Sequence, residues 1–150
     1  RSTQSRSSAV SDVYKRQVEL DADFSSRTVR RIDQSIAMGA LFTAHQLGAK
    51  AIVALTASGS TALWMSRHRI DIPIYALTPS LATQRRMALI RNVRPLLMDE
   101  SDDRDVALAQ AETHLKKRGI VDTGDVYAIT CGEPMGSPGG SNMLKICRAG

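Results

Sequence analysis

Apolar and polar positions follow two periods along this chain, and each change of period marks an element. From Ser26 the spacing is helical: Ile32, Ile36, Ala40, Thr43 and Leu47 recur at steps of three and four, and Gly48 supplies the stop. Ala51-Ile52-Val53-Ala54-Leu55 is then a nearly continuous apolar run bounded by turn formers, the pattern of a strand buried on both faces. Thr61 to Arg67 predicts a short helix, Pro73 to Leu77 a strand, Leu81 to Ile90 a helix with Gln84, Arg85 and Arg86 on its surface, and Val93 to Met98 a third strand. Pro95 has no N–H to give a ladder, which predicts a sheet edge or a strand start there.

Asp102, Asp103 and Asp105 open the next helix, and Lys116, Lys117 and Arg118 close it before Gly119. Acids meet the positive end of the helix dipole and bases the negative end, an arrangement that needs no ligand to explain it. Asp125 to Thr130 and Met143 to Cys147 read as the fourth and fifth strands. Strands alternating with helices imply right-handed crossovers and a mostly parallel sheet covered on both faces. Only a Gly/Pro loop joins the last two strands. The fold expected is therefore α/β, a three-layer α/β/α sandwich with a five-stranded, mostly parallel sheet whose last strand is antiparallel.

Length and composition add bounds. At 150 residues the chain is one domain's worth, and 43% hydrophobic with 23% charged residues is ordinary for a globular protein. No uncharged apolar run approaches the roughly 18 residues that span a bilayer, so no membrane partner is expected. Of the net charge of +5, three units sit in residues 1–17, where Arg1, Arg6, Lys15 and Arg16 face Asp12 alone. The rest is too small to argue for a nucleic-acid partner. Residues 1–17 are Ser-rich, aperiodic and without the apolar core of a signal peptide; they read as a disordered, non-native adapter-like scar on a gene truncated at its 5′ side, which leaves 18–150 as the domain. Cys131 and Cys147 lack metal or redox spacing and read as small apolar residues near strand ends of a cytoplasmic, reduced protein.

The candidate chemistry lies in two loops, each after a strand. Thr56-Ala57-Ser58-Gly59-Ser60-Thr61 brings hydroxyls and backbone N–H groups to a positive helix end, a geometry that favours an oxyanion, with Gly59 allowing close approach of the backbone. No Lys follows the glycine, so it is not a Walker motif. The competing reading is that Ser60 or Thr61 merely caps the helix. Gly132, Gly136, Gly139 and Gly140, stiffened by Pro134 and Pro138, suit a loop that folds over a ligand or a plain hairpin connection. His45, His68 and His114 are dispersed over three helices, and no metal site is expected. Trp64 and Met65 read as packing residues, and no nucleophile has a base that the sequence can place beside it.

Thr56 to Ala62, Pro73 to Thr78, Val93 to Leu96, and above all Gly124-Asp125-Val126-Tyr127-Ala128-Ile129 with the Gly-rich loop and Ser141-Asn142, together resemble the C-terminal domain of pyruvate kinase, from about Ser26 to Gly150. The resemblance implies a regulatory and assembly domain of a cytoplasmic, homotetrameric glycolytic enzyme. Its catalytic (β/α)8 barrel, which holds magnesium and potassium, is not in this chain, so no cofactor and no activity are expected of the chain itself. By the same resemblance Thr56, Ser58, Gly59, Ser60 and Thr61 hold an effector phosphate, and Gly136, Ser137 and Gly139 lie in the covering loop. Members that bind fructose 1,6-bisphosphate tightly carry cations where this chain has Ala57 and Ser60, and bulky aromatic and basic residues where it has Glu133 and Pro134. Fewer cations mean fewer charge-assisted bonds, so a monophosphate such as ribose 5-phosphate, glucose 6-phosphate or AMP is the expected effector. The rival reading is a free-standing module for a phosphorylated metabolite.

Overall fold

In the computed structural model, residues 31–136 and 140–150 are described. The elements are α1 (Ile32–Leu47), β1 (Ala51–Leu55), α2 (Ser60–Ser66), β2 (Ile74–Thr78), α3 (Leu81–Met87), β3 (Val93–Leu97), α4 (Arg104–Lys117), β4 (Val126–Gly132) and β5 (Ser141–Arg148). The segment 1–17, the helix start expected at Ser26, and Ser137 and Gly139 lie outside the described residues.

The sheet order is β3-β2-β1-β4-β5; the first four strands are parallel and β5 runs antiparallel to β4. This is the three-layer α/β sandwich expected from the pattern. Right-handed crossovers explain its two faces. The chain steps from β1 to β2 to β3 in one direction, which keeps α2 and α3 on one side. It then reverses to reach β4, which sends α4 to the other. The core divides accordingly: Ile52, Ala54, Ile74 and Ala128 pack with Ala37, Leu41, Met65 and Met87 of the three helices on one face. Val53, Leu77, Tyr127 and Ile129 pack with Ala107, Ala111 and Leu115 of α4 on the other.

Pro95 sits in β3, which is an edge strand, as its missing N–H requires. Asp103 caps α4, its carboxylate accepting from the N–H groups of Asp105 (2.8 Å) and Val106 (3.2 Å). On the α4 face the Tyr127 hydroxyl donates to Glu112 Oε2 at 2.9 Å, and the Gly150 N–H donates to Oε1 at 2.9 Å. The Gly150 bond, then the phenol, hold the Glu112 carboxyl below its ordinary value. Burial, reinforced by this carboxylate, pushes the Tyr127 phenol well above its own, so it remains a donor.

Two expectations need correction. The buried side of α1 is Asp33, Ala37, Ala40, Leu41 and Ala44, whereas Ile32 and Leu47 are 70% and 54% exposed. Apolar residues surround this helix, so periodicity alone left its rotation open, and the small side chains won the sheet-facing stripe. Asp33 is buried with Arg31 as partner, Arg31 Nη2 to Oδ2 at 2.7 Å. The other correction is the third helix, which ends at Met87 rather than Ile90: beyond Ala88 the chain turns, and Asn92 adopts a positive φ of 60° before β3.

Candidate functional site

The carboxyl ends of β1, β2, β3 and β4 face one edge of the sheet, where β1 and β4 diverge in connection direction. Such a switch point leaves a crevice outside the strand ends. A cavity of about 340 Å³ opens there. Leu55, Thr56, Ala57 and Thr61 line it from the β1 side, Leu77 and Pro79 from β2, Met98 to Asp102 from β3, and Gly132, Met135, Gly136, Gly140 and Ser141 from the β4–β5 connection. Both loops singled out in the sequence therefore contribute to one cavity.

The first loop is held by its own hydroxyls. Thr56 Oγ1 accepts from the Gly59 N–H at 2.8 Å, and Ser58 Oγ donates to Ser60 Oγ at 3.2 Å. Thr83 of α3 anchors it from below, donating to the Ala57 carbonyl at 2.8 Å. Gly59 occupies the N-cap position of α2 with φ 84°, and no side chain caps the helix. Neither Ser60 nor Thr61 is a cap. Among the described residues the N–H groups of Thr61 and Ala62 make no hydrogen bond to protein. A Cβ on Gly59 would stand 3.0 Å from Met87 Cγ, so this glycine serves the turn and its packing on α3.

Thr61 Oγ1 and Ser141 Oγ are 2.7 Å apart, with the residues only 1% and 6% exposed. Two hydroxyls joined by one hydrogen bond use one of their two protons. This is the one hydrogen bond either hydroxyl makes among the described residues, so the second proton is unspent at the cavity wall. Water in the cavity or an acceptor on a ligand can take that proton.

The late loop is closed at its base. A Cβ on Gly132 would stand 2.6 Å from the Gly140 carbonyl oxygen, so the two ends touch only because residue 132 has none. Asn142 pairs reciprocally with the Glu133 backbone, accepting from its N–H at 2.9 Å and donating to its carbonyl at 2.8 Å. Arg104 Nη1 reaches Glu133 Oε2 at 3.7 Å, tying the loop to the start of α4. Next to the loop, burial pushes the Cys131 thiol upward, which keeps it protonated in the core.

Thr56, Thr61 and Gly136 of the expected site residues line the cavity; Ser58, Gly59 and Ser60 do not. Sequence reasoning missed Ser141 as the partner of Thr61, Thr83 as the anchor, and the carboxylates Asp99, Glu100 and Asp102 on the cavity lining. The signal for the acids was available: they follow β3, and strand ends of an open α/β sheet share one edge. Among the described residues no Lys, Arg or His lines the cavity. Among the described residues no group of three or more His, Cys, Asp and Glu is placed to hold a metal, and no helix is long and apolar enough to cross a membrane.

Fold and site together define a doubly wound α/β domain with a cavity at the carboxyl edge of its sheet. The family model described as pyruvate kinase, alpha/beta domain matches residues 34–147, and the chain belongs to that family. It is 39% identical over 112 residues to a pyruvate kinase of Staphylococcus epidermidis, covering 75% of this chain and 19% of that protein. It is 36% identical over 118 residues to a pyruvate kinase of Buchnera aphidicola, covering 78% of this chain and 25% of that protein. A crystal structure of a pyruvate kinase from Cryptosporidium parvum superposes with a TM-score of 0.78 at 25% identity, over 90% of this chain and 26% of that one. The chain thus spans about a fifth to a quarter of the length of these relatives.

Proposed function

We propose that this chain is the regulatory and assembly part of a pyruvate kinase, whose whole protein transfers the phosphoryl group of phosphoenolpyruvate to ADP in the cytoplasm, and that its cavity binds a phosphorylated effector. The supporting observation is the buried Thr61–Ser141 hydroxyl pair on the cavity lining, beside the Thr61 N–H, which makes no hydrogen bond among the described residues. The hydroxyls of Thr61 and Ser141 on the cavity lining, with the Thr61 N–H, suit a phosphate oxygen, an acceptor that is mostly dianionic near neutral pH. Ser58, Ser60 and Gly59 shape the loop behind that wall, and Gly136 with Ser137 and Gly139 belongs to the covering loop. Among the described lining residues none is a cation, and this supports a sugar monophosphate or AMP over fructose 1,6-bisphosphate. Magnesium and potassium belong, on this reading, to a barrel elsewhere in the whole protein, so the chain by itself turns over neither phosphoenolpyruvate nor ADP. β5 is the outer strand of the sheet and leaves Ile146 39% exposed, an edge suited to pairing with a second copy in a homo-oligomer.

Thermal unfolding with ribose 5-phosphate, glucose 6-phosphate and AMP, each beside its unphosphorylated counterpart, tests the effector reading. A ligand that binds only the folded state raises Tm in proportion to its occupancy. The phosphorylated member of at least one pair should raise Tm where its partner does not. Equal Tm throughout would remove the effector role and leave only the family membership.

A further inference from the structure

Of the two buried residues of α3, Thr83 and Met87, one is polar. The Thr83 hydroxyl donates to the Ala57 carbonyl at 2.8 Å, which spends its single proton, and its oxygen accepts from Arg86 Nη2 at 3.0 Å. Residues three apart on a helix share a face, and a long side chain there bends back toward the helix start. The Arg86 guanidinium thus stands one hydroxyl away from the Ala57 carbonyl, and Ala57 lines the cavity. Arg85 occupies the same last turn of α3 but, among the described residues, makes no hydrogen bond or ion pair. The helix dipole accounts for a base at this end, and it does not account for the one base that reaches back to Thr83.

Such a chain is directional. A guanidinium that donates to a hydroxyl makes that hydroxyl a stronger donor, and the two bonds reinforce each other. The Ala57 carbonyl is held toward α3, and the loop that carries it is held with it. Asp99, Glu100 and Asp102 also line the cavity, so an anion there needs positive charge to offset theirs. We propose that Arg86 is a positioning residue of this site: through Thr83 it fixes the loop that carries Ala57, and its charge, one layer behind the lining, favours an anion in the cavity. The proposal rests on the phosphate reading above and adds how a wall whose described residues include no cation holds a doubly charged group. Charge acts at this range without contact, because Coulomb energy falls only as the inverse of distance.

Calorimetric titration of the full chain with ribose 5-phosphate, glucose 6-phosphate and AMP tests this at ionic strengths of about 0.01 M and about 1 M, where the Debye length is about 30 Å and about 3 Å. Arg86→Gln should weaken the phosphate that binds by about fivefold at low ionic strength and leave it unchanged at high. Arg86→Lys, which keeps the charge, should stay within about twofold of wild type, and so should Arg85→Gln. Both arginines are exposed, so the variants should fold, and an unchanged Tm without ligand checks it. Equal binding by wild type and Arg86→Gln at low ionic strength overturns the proposal. So does a loss of the same size at both ionic strengths, which marks a structural role alone, or an equal loss in Arg85→Gln, which marks net charge alone. Arg86→Lys as weak as Arg86→Gln overturns it as well. In each of these cases the wild type still binds, and the phosphate reading stands. Failure of all three ligands to bind the wild type at either ionic strength overturns both.

Discussion

Thr61 carries two separable roles, and substitutions distinguish them. Thr61→Val removes a hydroxyl that pairs with Ser141 and leaves that serine buried without its partner, so stability should fall by about 1–3 kcal/mol in urea unfolding. Thr61→Ser keeps the hydroxyl; it should retain phosphate binding, whereas the valine variant should lose about tenfold in affinity, the scale of one hydrogen bond to a charged group. Equal binding by both variants in a calorimetric titration would show that the hydroxyl faces no ligand. Gly59→Ala meets two penalties at once, a positive φ of 84° and Met87 Cγ at 3.0 Å, and should cost on the order of 1–2 kcal/mol. An unchanged urea midpoint would contradict this packing. At this scale the sequence was half readable. Glycine and hydroxyls after a strand marked the loop, but which hydroxyl faces the cavity depends on Ser141, eighty residues away, and no local pattern encodes that pairing.

Elements were legible where their ends carry charge or special backbone chemistry. The limits of α4 follow from Asp103 and the basic last turn, and Asp103→Ala should destabilise the domain by about 1 kcal/mol, checked by thermal unfolding. Strands β1 and β2 were legible as continuous apolar runs because both their faces are covered. The rotation of α1 was not, because a helix with apolar residues all round offers several faces, and the choice depends on how closely the helix must approach β4 and β5. Between α4 and β4 the Glu112–Tyr127 link makes a pH prediction. Glu112 titrates lower in the folded protein than its ordinary 4.5, so its contribution is present above that value and is lost as pH falls through the lower folded one. Glu112→Gln should therefore narrow the stability gap between neutral and acid pH, measured as urea midpoints. A variant whose acid sensitivity equals that of the wild type would show that other carboxylates control it.

For the whole molecule, topology explains why the two loops meet. Reversal of direction after β3 brings β4 beside β1, and every parallel strand then delivers its following loop to the same edge. The alternation of strands and helices was enough to anticipate this edge. The acid lining was not anticipated, because Asp102 read in sequence as the opening of a helix and Asp99 and Glu100 carried no signal of their own; they become a cavity wall only once β3 takes its place two strands from β1. The chain belongs to the pyruvate kinase family, and the proposed function makes this cavity the place where a phosphorylated effector binds. The most direct test of that claim is a 1H–15N NMR titration of the chain with glucose 6-phosphate beside glucose. Binding at the donor wall predicts saturable shifts of the Thr61 and Ala62 amides with the phosphate alone. Shifts that spare these amides, or that glucose reproduces, would contradict the account.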